Sequence, residues 1–257
     1  MPELPEVEVT RLGLRPFLNL TVSGLVIRNY SLRWPIDSEL PKILKNQILL
    51  DLTRRGKYIL AKFTSGTLII HLGMSGRLCI VSSEETLNKH DHVDIKFKEN
   101  NLILRYRDPR RFGSILWTDN DPLKHKLIKN LGPEPLNDEF DAKYLFSRLR
   151  NKEQCIKNTI MDSHIVVGVG NIYASEALYY SGIRPQRRSK KVSMKEVDSL
   201  VKAIKNVIKE AIRKGGSTMS DFFDVNGKNG YFQNEHRVYG RENNACVQCQ
   251  FLITQIK

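Results

Sequence analysis

The chain has 257 residues, of which 40% are hydrophobic, and a formal net charge of +13 at pH 7. These values predict a globular protein of two domains, and we expect neither a transmembrane segment nor a signal peptide. Residues 1–140 carry 21 basic and 17 acidic side chains (+4), and residues 141–257 carry 20 and 11 (+9). This basic excess favours a polyanionic partner, and nucleic acid is the one we expect. The 4 cysteines are too few for a disulfide scaffold, which indicates a reducing compartment, the cytoplasm.

The chain begins with MPELPEVEVT, which is typical of a helix start because Pro5 suits the first helical position and Glu6 the positive end of the helix dipole. A second interpretation is chemical. Removal of Met1, which the small Pro2 permits, leaves a secondary amine, and α-amino groups titrate at about 7.7–8.0. Such an amine can attack C1′ of a sugar and form an iminium ion, with Glu3 and Glu6 available for proton transfer. The two interpretations are compatible.

Short β-branched or alternating segments dominate the first half and predict a two-layer β-sandwich or flattened barrel. The predicted strands are 22–30, 48–53, 57–63, 67–73, 76–81, 92–97, 101–106 and 114–117. The Pro-rich stretch 131–140 predicts a linker. The pattern then becomes helical, at 141–150, 153–161, 171–180 and 193–213, and a last hairpin is predicted at 230–240.

Three turns of the first half carry candidate functional side chains. Lys57 follows two arginines and a glycine, and is either a solvated lysine or a proton relay. The glycine-flanked turn 71–76 presents Met74, and the turn 108–113 presents Arg110 and Phe112. A DNA reader that extrudes a nucleotide needs such wedges to replace the lost stacking, although core filling is the commoner role of a methionine.

The segment 90–94 has the spacing of a metal site, but a strand would send alternate side chains to opposite faces. We therefore interpret His90 as a phosphate or sugar contact and His92 and Asp94 as structural. In the second half, the glycines of 168–170 precede a helix, which is typical of a phosphate clamp or of a tight helix–helix turn. The loop 215–220 is suited to closing over a base, or is a helix C-cap.

Cys246 and Cys249 form one CxxC pair, which is half of a four-cysteine zinc site. Cys79 and Cys155 lie in other predicted elements, far away in sequence. We therefore expect no complete zinc site within the chain.

Together these motifs resemble the bacterial formamidopyrimidine-DNA glycosylases, base-excision enzymes that remove 8-oxoguanine and ring-opened purines and also cleave abasic sites. The resemblance spans nearly the whole chain. Its motifs, in the family's order, are PELPEVE, RRGKY, HLGMSG, KHDHVD, RYRDPRRFG, LGPEPL, VVGVGNIYASEAL, GGSTMSDF, GYFQ and VYGR. It implies double-stranded DNA with an oxidised purine or an abasic site as the partner of a monomeric enzyme that does not bind membranes.

The resemblance also implies an α+β fold. We expect an N-terminal catalytic β-sandwich domain at 1–132, a linker at 133–140, a helix–two-turn–helix DNA-binding domain at 141–225 and an incomplete zinc-finger hairpin at 226–257. DNA is expected to lie in the cleft between the two main domains.

Roles for single residues follow from the same resemblance. Pro2 is expected to be the Schiff-base nucleophile, Glu3 the general acid that opens the deoxyribose, and Lys57 the proton donor for β-elimination. The residues expected to fill the gap left by the extruded nucleotide are Met74, Arg110 and Phe112. The expected DNA contacts are His71, His90, Lys157, Asn171 and Tyr239, and the loop 217–222, with Ser217 and Thr218, is expected to cover the lesion.

One departure from the family pattern concerns zinc. The family usually ends in a four-cysteine zinc hairpin with an arginine that grips phosphates and assists δ-elimination, whereas here FLITQIK follows the first cysteine pair. We therefore expect weaker DNA binding and impaired δ-elimination. Two alternative functions stay open: a glycosylase for oxidised pyrimidines from the same superfamily, and a damaged-DNA-binding protein with impaired catalysis.

Overall fold

The structure is a computed structural model that describes residues 1–99, 101–217, 224–227 and 229–255. It divides into two compact units. The first consists of Met1–Asn130 and Ser217–Gly230, and the second of Leu131–Gly216 and Tyr231–Lys257. The segment 217–230 therefore belongs to the first unit, although it follows most of the second unit in sequence.

The first unit is a β-sandwich with an N-terminal helix. Its helices are α1 (Leu4–Gly13) and α2 (Leu40–Leu44). Its strands are β1 (Val22–Ile27), β2 (Leu49–Arg55), β3 (Tyr58–Phe63), β4 (Thr67–His71), β5 (Arg77–Ser82), β6 (Asp91–Phe97), β7 (Leu102–Arg107) and β8 (Ser114–Thr118). They form two 4-stranded antiparallel sheets, in the orders β1-β6-β7-β5 and β2-β3-β4-β8. The predicted sandwich is confirmed, and so is each predicted strand.

Apolar side chains from both sheets make up the core of the first unit. Ile59 and Ile70 from one sheet and Val93 and Leu104 from the other are at most 4% exposed and belong to one cluster. Burying each such side chain contributes roughly 1.5–3 kcal/mol. The alternating apolar side chains that predicted the strands are thus the side chains that form the core of the sandwich.

Val225 completes this core from a distant part of the chain. It is 2% exposed, and its carbonyl oxygen accepts the N–H of Ile80 at 2.8 Å. Gly13 makes room for it, since a Cβ at that position would lie 2.4 Å from Val225 Cγ2. Val225 is therefore part of the sandwich core.

The β2–β3 hairpin fixes the position of Lys57. Arg55 pairs with Tyr58, which leaves Gly56 and Lys57 as a two-residue turn. Gly56 has φ +58, and a positive φ at the first residue of the turn alone is typical of a type II′ hairpin, which favours glycine there. Lys57 is therefore held at the end of two paired strands.

A buried ion cluster crosses β6 and β7. Arg105 is 2% exposed and donates to both carboxylate oxygens of Asp94, at 2.9 and 3.1 Å, while Arg28 pairs with the same carboxylate. Burial opposes ionisation, but hydrogen bonds and charges from the two arginines outweigh it and lower the pKa of Asp94. His92 Nε2 lies 2.8 Å from the carbonyl oxygen of Asp108. His92 and Asp94 thus have structural partners, as expected.

The second unit is helical. Its helices are α3 (Ala142–Leu149), α4 (Ile156–Met161), α5 (Asn171–Tyr180) and α6 (Met194–Arg213). The long amphipathic α6 starts with a capping box between Ser193 and Glu196 and ends before Gly215 and Gly216, whose φ angles are +78 and +81. Positive φ favours glycine and stops the helix. The four predicted helices are confirmed.

The hairpin predicted at 230–240 is wrong. The segment contains a 3₁₀ turn, Phe232–Glu235, and Phe232 packs on Tyr173 with ring centroids 5.8 Å apart. The carboxylate of Glu176 accepts the backbone N–H groups of residues 237, 238 and 239. Those donors are therefore not available to a strand ladder. A short hairpin lies further on, where Ala245 bridges Leu252.

Candidate active site

The first turn of α1 positions the start of the chain. Glu3 is the N-cap of this helix and shares a capping box with Glu6, whose Oε2 accepts the N–H of Glu3 at 2.8 Å. Pro2, Glu3 and Glu6 are buried, whereas Met1 is 57% exposed. While Met1 is attached, the nitrogen of Pro2 belongs to an amide and is not nucleophilic. Removal of Met1 is therefore a requirement of the predicted chemistry.

The other carboxylate oxygen of Glu6 contacts the segment that closes the first unit. Its Oε1 accepts the backbone N–H of Ser217 at 2.9 Å, and Ser217 is 3% exposed. Both oxygens of Glu6 thus hold backbone donors, one beside Glu3 and one at the start of the predicted lesion loop. Thr218, the other residue predicted in that loop, lies outside the described residues.

His71 and Lys57 are neighbours across β3 and β4. Tyr58, which follows Lys57, pairs with His71, and the two rings lie 4.7 Å apart. Burial lowers the pKa of His71 to about 4, and the charges of Lys57 and Arg33 act in the same direction. His71 is therefore a neutral imidazole at neutral pH.

A surface depression of about 660 Å³ brings together residues that are far apart in sequence. Its lining includes Met1, Arg33, His71, Met74, Arg110 and Phe112. The start of the chain and the two candidate wedge turns thus share one site within the first unit. Its arginines favour a negatively charged ligand.

The candidate wedge side chains are exposed on this depression. Met74 is 38% and Phe112 is 46% exposed, so Met74 is not a core residue. The guanidinium of Arg110 lies over the Phe112 ring, 4.8 Å from its centroid, which is within cation–π distance. An exposed aromatic ring covered by an arginine can stack on a base.

A buried carboxylate that the sequence patterns do not identify lies beneath these turns. Asp108 is 0% exposed, and its carboxylate accepts hydrogen bonds from Ser75, Tyr106 and Gly113. The one local signal was an aspartate at the first position of a turn, which is common in turns of every kind.

The remaining predicted DNA contacts lie elsewhere. His90, in the first unit, is half-buried, and its ring lies 6.5 Å from that of His92. Three belong to the second unit: Lys157 in α4 is half-buried, Asn171 is the exposed first residue of α5, and Tyr239 is half-buried. The N–H of Tyr239 donates to Glu176, as described above.

The CxxC pair forms a tight turn. Cys246 is buried and Cys249 exposed, and backbone N–H groups of Cys249 and Gln248 donate to the Cys246 sulfur, which lowers its pKa to about 7. This stabilises a thiolate, the form that binds zinc. Across the described ranges, no cluster of three or more His, Cys, Asp or Glu side chains could hold a metal ion.

Comparisons with known proteins place this site in a family. Residues 1–115 match the model of the formamidopyrimidine-DNA glycosylase N-terminal domain, and residues 131–223 match that of the formamidopyrimidine-DNA glycosylase H2TH domain. A formamidopyrimidine-DNA glycosylase from Methylobacillus flagellatus is 49% identical over 257 residues, 100% of this chain and 92% of the relative.

Two solved structures from Lactococcus lactis are also similar. A mutant glycosylase in complex with DNA containing Fapy-dG has a TM-score of 0.93 at 30% identity, covering 100% of this chain and 94% of that one. The wild-type protein with DNA containing an oxidised pyrimidine has a TM-score of 0.91 at 30% identity, with the same coverage.

The order of the two matched domains defines a DNA glycosylase of base-excision repair. The chain belongs to the formamidopyrimidine-DNA glycosylase family. This membership confirms the predicted fold and the predicted activity, a glycosylase for oxidised purines that is also an abasic-site lyase. In the part of the chain that the structure describes, no helix is long and apolar enough to cross a membrane.

Proposed function

We propose that this chain excises oxidised purines from duplex DNA through a Schiff base on Pro2. The observation that supports this most is the shared depression, where the start of the chain meets His71, Met74 and the turn 108–113. A nucleotide turned out of the helix would enter at the chain start, while the wedge side chains take its place. The bacterial cytoplasm, which holds the chromosome, is the proposed location.

The proposed chemistry begins with the freed Pro2 nitrogen, whose lone pair attacks C1′ of the deoxyribose. The bond from C1′ to the damaged base breaks, its electron pair leaves with the base, and the base takes up the proton that the Pro2 nitrogen loses. Glu3 donates a proton to O4′ as the C1′–O4′ bond breaks, which opens the sugar and leaves an iminium ion between the nitrogen and C1′.

Strand cleavage follows from the acidity of C2′ next to the iminium carbon. Loss of a C2′ proton to water converts the iminium into a C1′=C2′ enamine. The enamine electrons then break the C3′–O bond, whose electron pair leaves with the 3′ phosphate, and a C2′=C3′ double bond conjugated with the iminium forms. Lys57 is the proposed proton donor in this β-elimination. Water then hydrolyses the imine and restores the free Pro2 nitrogen.

We assign Glu6 a positioning role in this chemistry. Its carboxylate accepts the backbone N–H groups of Glu3 and Ser217, so it fixes the general acid and the start of the lesion loop together. A carboxylate with both oxygens engaged by amide donors is poorly placed to exchange protons with a substrate. This refines the catalytic role expected from sequence.

We propose that five side chains of the chain contact DNA. His71 donates its neutral N–H, and the others are His90, Lys157, the exposed Asn171 at the start of α5, and Tyr239. A helix N-terminus presents N–H groups to a phosphate without reading sequence. Such contacts suit an enzyme that must search undamaged DNA.

The domain boundaries expected from the sequence also remain predictions.

Zinc is the metal that the family implies, and Cys246 and Cys249 fit two of its thiolate ligands. Their turn directs backbone N–H groups at sulfur, as thiolate ligands require. Bound zinc would fix this turn and supply no catalytic step. Three predictions remain: an incomplete zinc site, weaker DNA binding and impaired δ-elimination. Metal analysis of the purified chain tests the first, and incision products resolved by gel test the last.

Borohydride trapping tests the proposed nucleophile. The mature protein should form a covalent adduct with duplex DNA carrying 8-oxoguanine, and Pro2→Gly should abolish it. A chain with an N-terminal tag is the matched control, because its Pro2 nitrogen stays in an amide while the sequence is otherwise unchanged. A trapped adduct at full yield with the tagged chain would exclude Pro2 as the nucleophile.

Oxidised pyrimidines are the second candidate substrate class, because one similar structure is a complex with DNA containing such a lesion. Parallel excision assays on 8-oxoguanine and thymine glycol duplexes separate the two. DNA binding without any trapping or excision would instead favour a damaged-DNA-binding protein.

A further inference from the structure

The two turns that face the depression are joined by one buried carboxylate. Asp108 Oδ1 accepts the hydroxyl of Ser75 at 2.7 Å, and Oδ2 accepts the hydroxyl of Tyr106 at 3.1 Å and the N–H of Gly113 at 2.9 Å. Ser75 Oγ in turn accepts the N–H of Arg110 at 3.1 Å. The turn that carries Met74 and the turn that carries Arg110 are thus hydrogen-bonded through the same groups.

Close packing around the Tyr106 hydroxyl supports this connection. A Cβ on Gly113 would lie 1.8 Å from that oxygen, and a Cβ on Gly76 would lie 2.7 Å from it. A Cβ on Gly73 would lie 2.4 Å from the carbonyl carbon of Phe112. The three glycines let the two turns approach each other more closely than any other residue would allow.

The backbone of Asp108 is held as well. Its N–H donates to the carbonyl oxygen of His90 at 3.1 Å, and its own carbonyl oxygen contacts His92 Nε2 at 2.8 Å. The residue is therefore fixed from β6 as well as from both turns. The donors to its carboxylate are two hydroxyls and one amide, all neutral and all directional, so they specify geometry as well as compensate a buried charge.

We propose that Asp108, with Ser75 and Tyr106, is a positioning group that presents Met74, Arg110 and Phe112 as one preformed wedge. This inference rests on the proposed function, in which those three side chains fill the gap left by the extruded nucleotide. A preformed wedge avoids ordering two separate turns while the base leaves the stack. The group matters for extrusion of a stacked, paired base and not for chemistry at a sugar that has already lost its base.

Hydroxyl deletions test this. Tyr106→Phe removes the hydrogen bond to Asp108, and Ser75→Ala removes the bonds to Asp108 and from the N–H of Arg110. Both variants should keep the fold. Tyr144→Phe is the matched control, because its hydroxyl donates to the carbonyl oxygen of Ile165 in the second unit at 2.9 Å. We expect both test variants to slow single-turnover excision from a fully paired 8-oxoguanine duplex on the order of 10-fold. Borohydride trapping on DNA with a preformed abasic site should stay within about twofold of wild type.

A second readout follows the wedge itself. With 2-aminopurine opposite the lesion, insertion unstacks the probe, and we expect a slower fluorescence rise in the test variants and an unchanged rise in Tyr144→Phe. Asp108→Asn should be milder than Asp108→Ala, because an amide still accepts from Tyr106 and Gly113 and can donate to Ser75.

The outcomes are distinct. If the test variants lost equal activity on the 8-oxoguanine duplex and on the abasic-site DNA, or lost none on either, the inference would be overturned. Activity of the wild type would still uphold the proposed function. Failure of the wild type to trap and to excise would refute the proposed function, and the inference with it.

Discussion

His71 Nδ1 accepts the backbone N–H of Gly73 at 3.1 Å. Because this ring nitrogen is an acceptor, the proton of the neutral imidazole resides on Nε2. Burial, followed by the charges of Lys57 and Arg33, lowers the pKa of His71 to about 4. The turn after β4 therefore fixes the tautomer, and burial with the neighbouring charges fixes the protonation state, of a side chain that lines the depression.

This relationship predicts a pH dependence of stability. The folded pKa of His71 lies below its ordinary value of 6.5, so the unfolded chain binds the proton more readily between about 6.5 and about 4. The contribution of neutral His71 is fully present above that window and is lost as the pH falls through it. Urea unfolding of His71→Gln should show a shallower loss of stability over this window than wild type. The control is His164→Gln, which replaces an exposed histidine. If the unfolding free energy of His71→Gln fell with pH as steeply as that of wild type, His71 would not be the group responsible.

Glu6→Gln should impair both stability and excision. The amide keeps one acceptor, so either Glu3 N–H or Ser217 N–H faces an NH₂ group. Leaving a buried donor unsatisfied costs about 1–3 kcal/mol. The control is Glu39→Gln, which removes an exposed ion pair with Lys42 at 2.8 Å and should leave the free energy of unfolding nearly unchanged. Equal unfolding free energies for the two variants would refute the prediction.

Arg105 also donates to Asp91 at 3.4 Å, and both Asp91 and Asp94 are buried. Arg105→Met should destabilise the first unit by roughly 3–5 kcal/mol, because it leaves both carboxylates short of a partner. Arg105→Lys should recover only part of this loss, since an ammonium cannot reproduce the two parallel bonds to Asp94. Chemical denaturation, followed by the fluorescence of Trp34 and Trp117, which both belong to the first unit, measures the effect. A change below about 1 kcal/mol for Arg105→Met would contradict the importance of this cluster.

Lys157→Ala should weaken binding to all DNA sequences alike. If its ammonium neutralises one phosphate, the slope of log binding constant against log salt should fall by about 0.9. Lys42→Ala, which removes an exposed lysine already paired with Glu39, is the control. Titrations of undamaged and abasic-site duplexes at several salt concentrations provide the slopes, and an unaltered slope for Lys157→Ala would remove it from the interface.

Glu176→Gln should release the segment that carries Tyr239. Glu176 is 1% exposed and accepts the N–H groups of Arg237, Val238 and Tyr239, at 2.8, 3.0 and 2.8 Å. An amide in its place directs an NH₂ group at one or more of these donors. We expect faster amide exchange at 237–239 and weaker DNA binding with unchanged helix content. Protection equal to wild type would show that the carboxylate does not organise this segment.

The parts of the fold that the sequence predicted are those set by local pattern. Alternation identified the strands, and the stripe of α6 with its terminal glycines identified that helix. The parts that it missed depend on residues distant in sequence. Asp108 meets Ser75, 33 positions away, and Glu176 meets Tyr239, 63 positions away. The wrong hairpin at 230–240 has the same origin, since Glu176 takes its backbone donors.

The place of Val225 in the first core has a consequence for biosynthesis. The ribosome delivers all of Leu131–Gly216 before it delivers the residue that seals the sandwich beside Gly13 and Ile80. The nascent N-terminal sandwich therefore lacks Val225 in its core while the helices of the second unit are synthesised. Translation arrested before residue 225 should yield a sandwich that proteases cut more readily than the same residues in the finished chain.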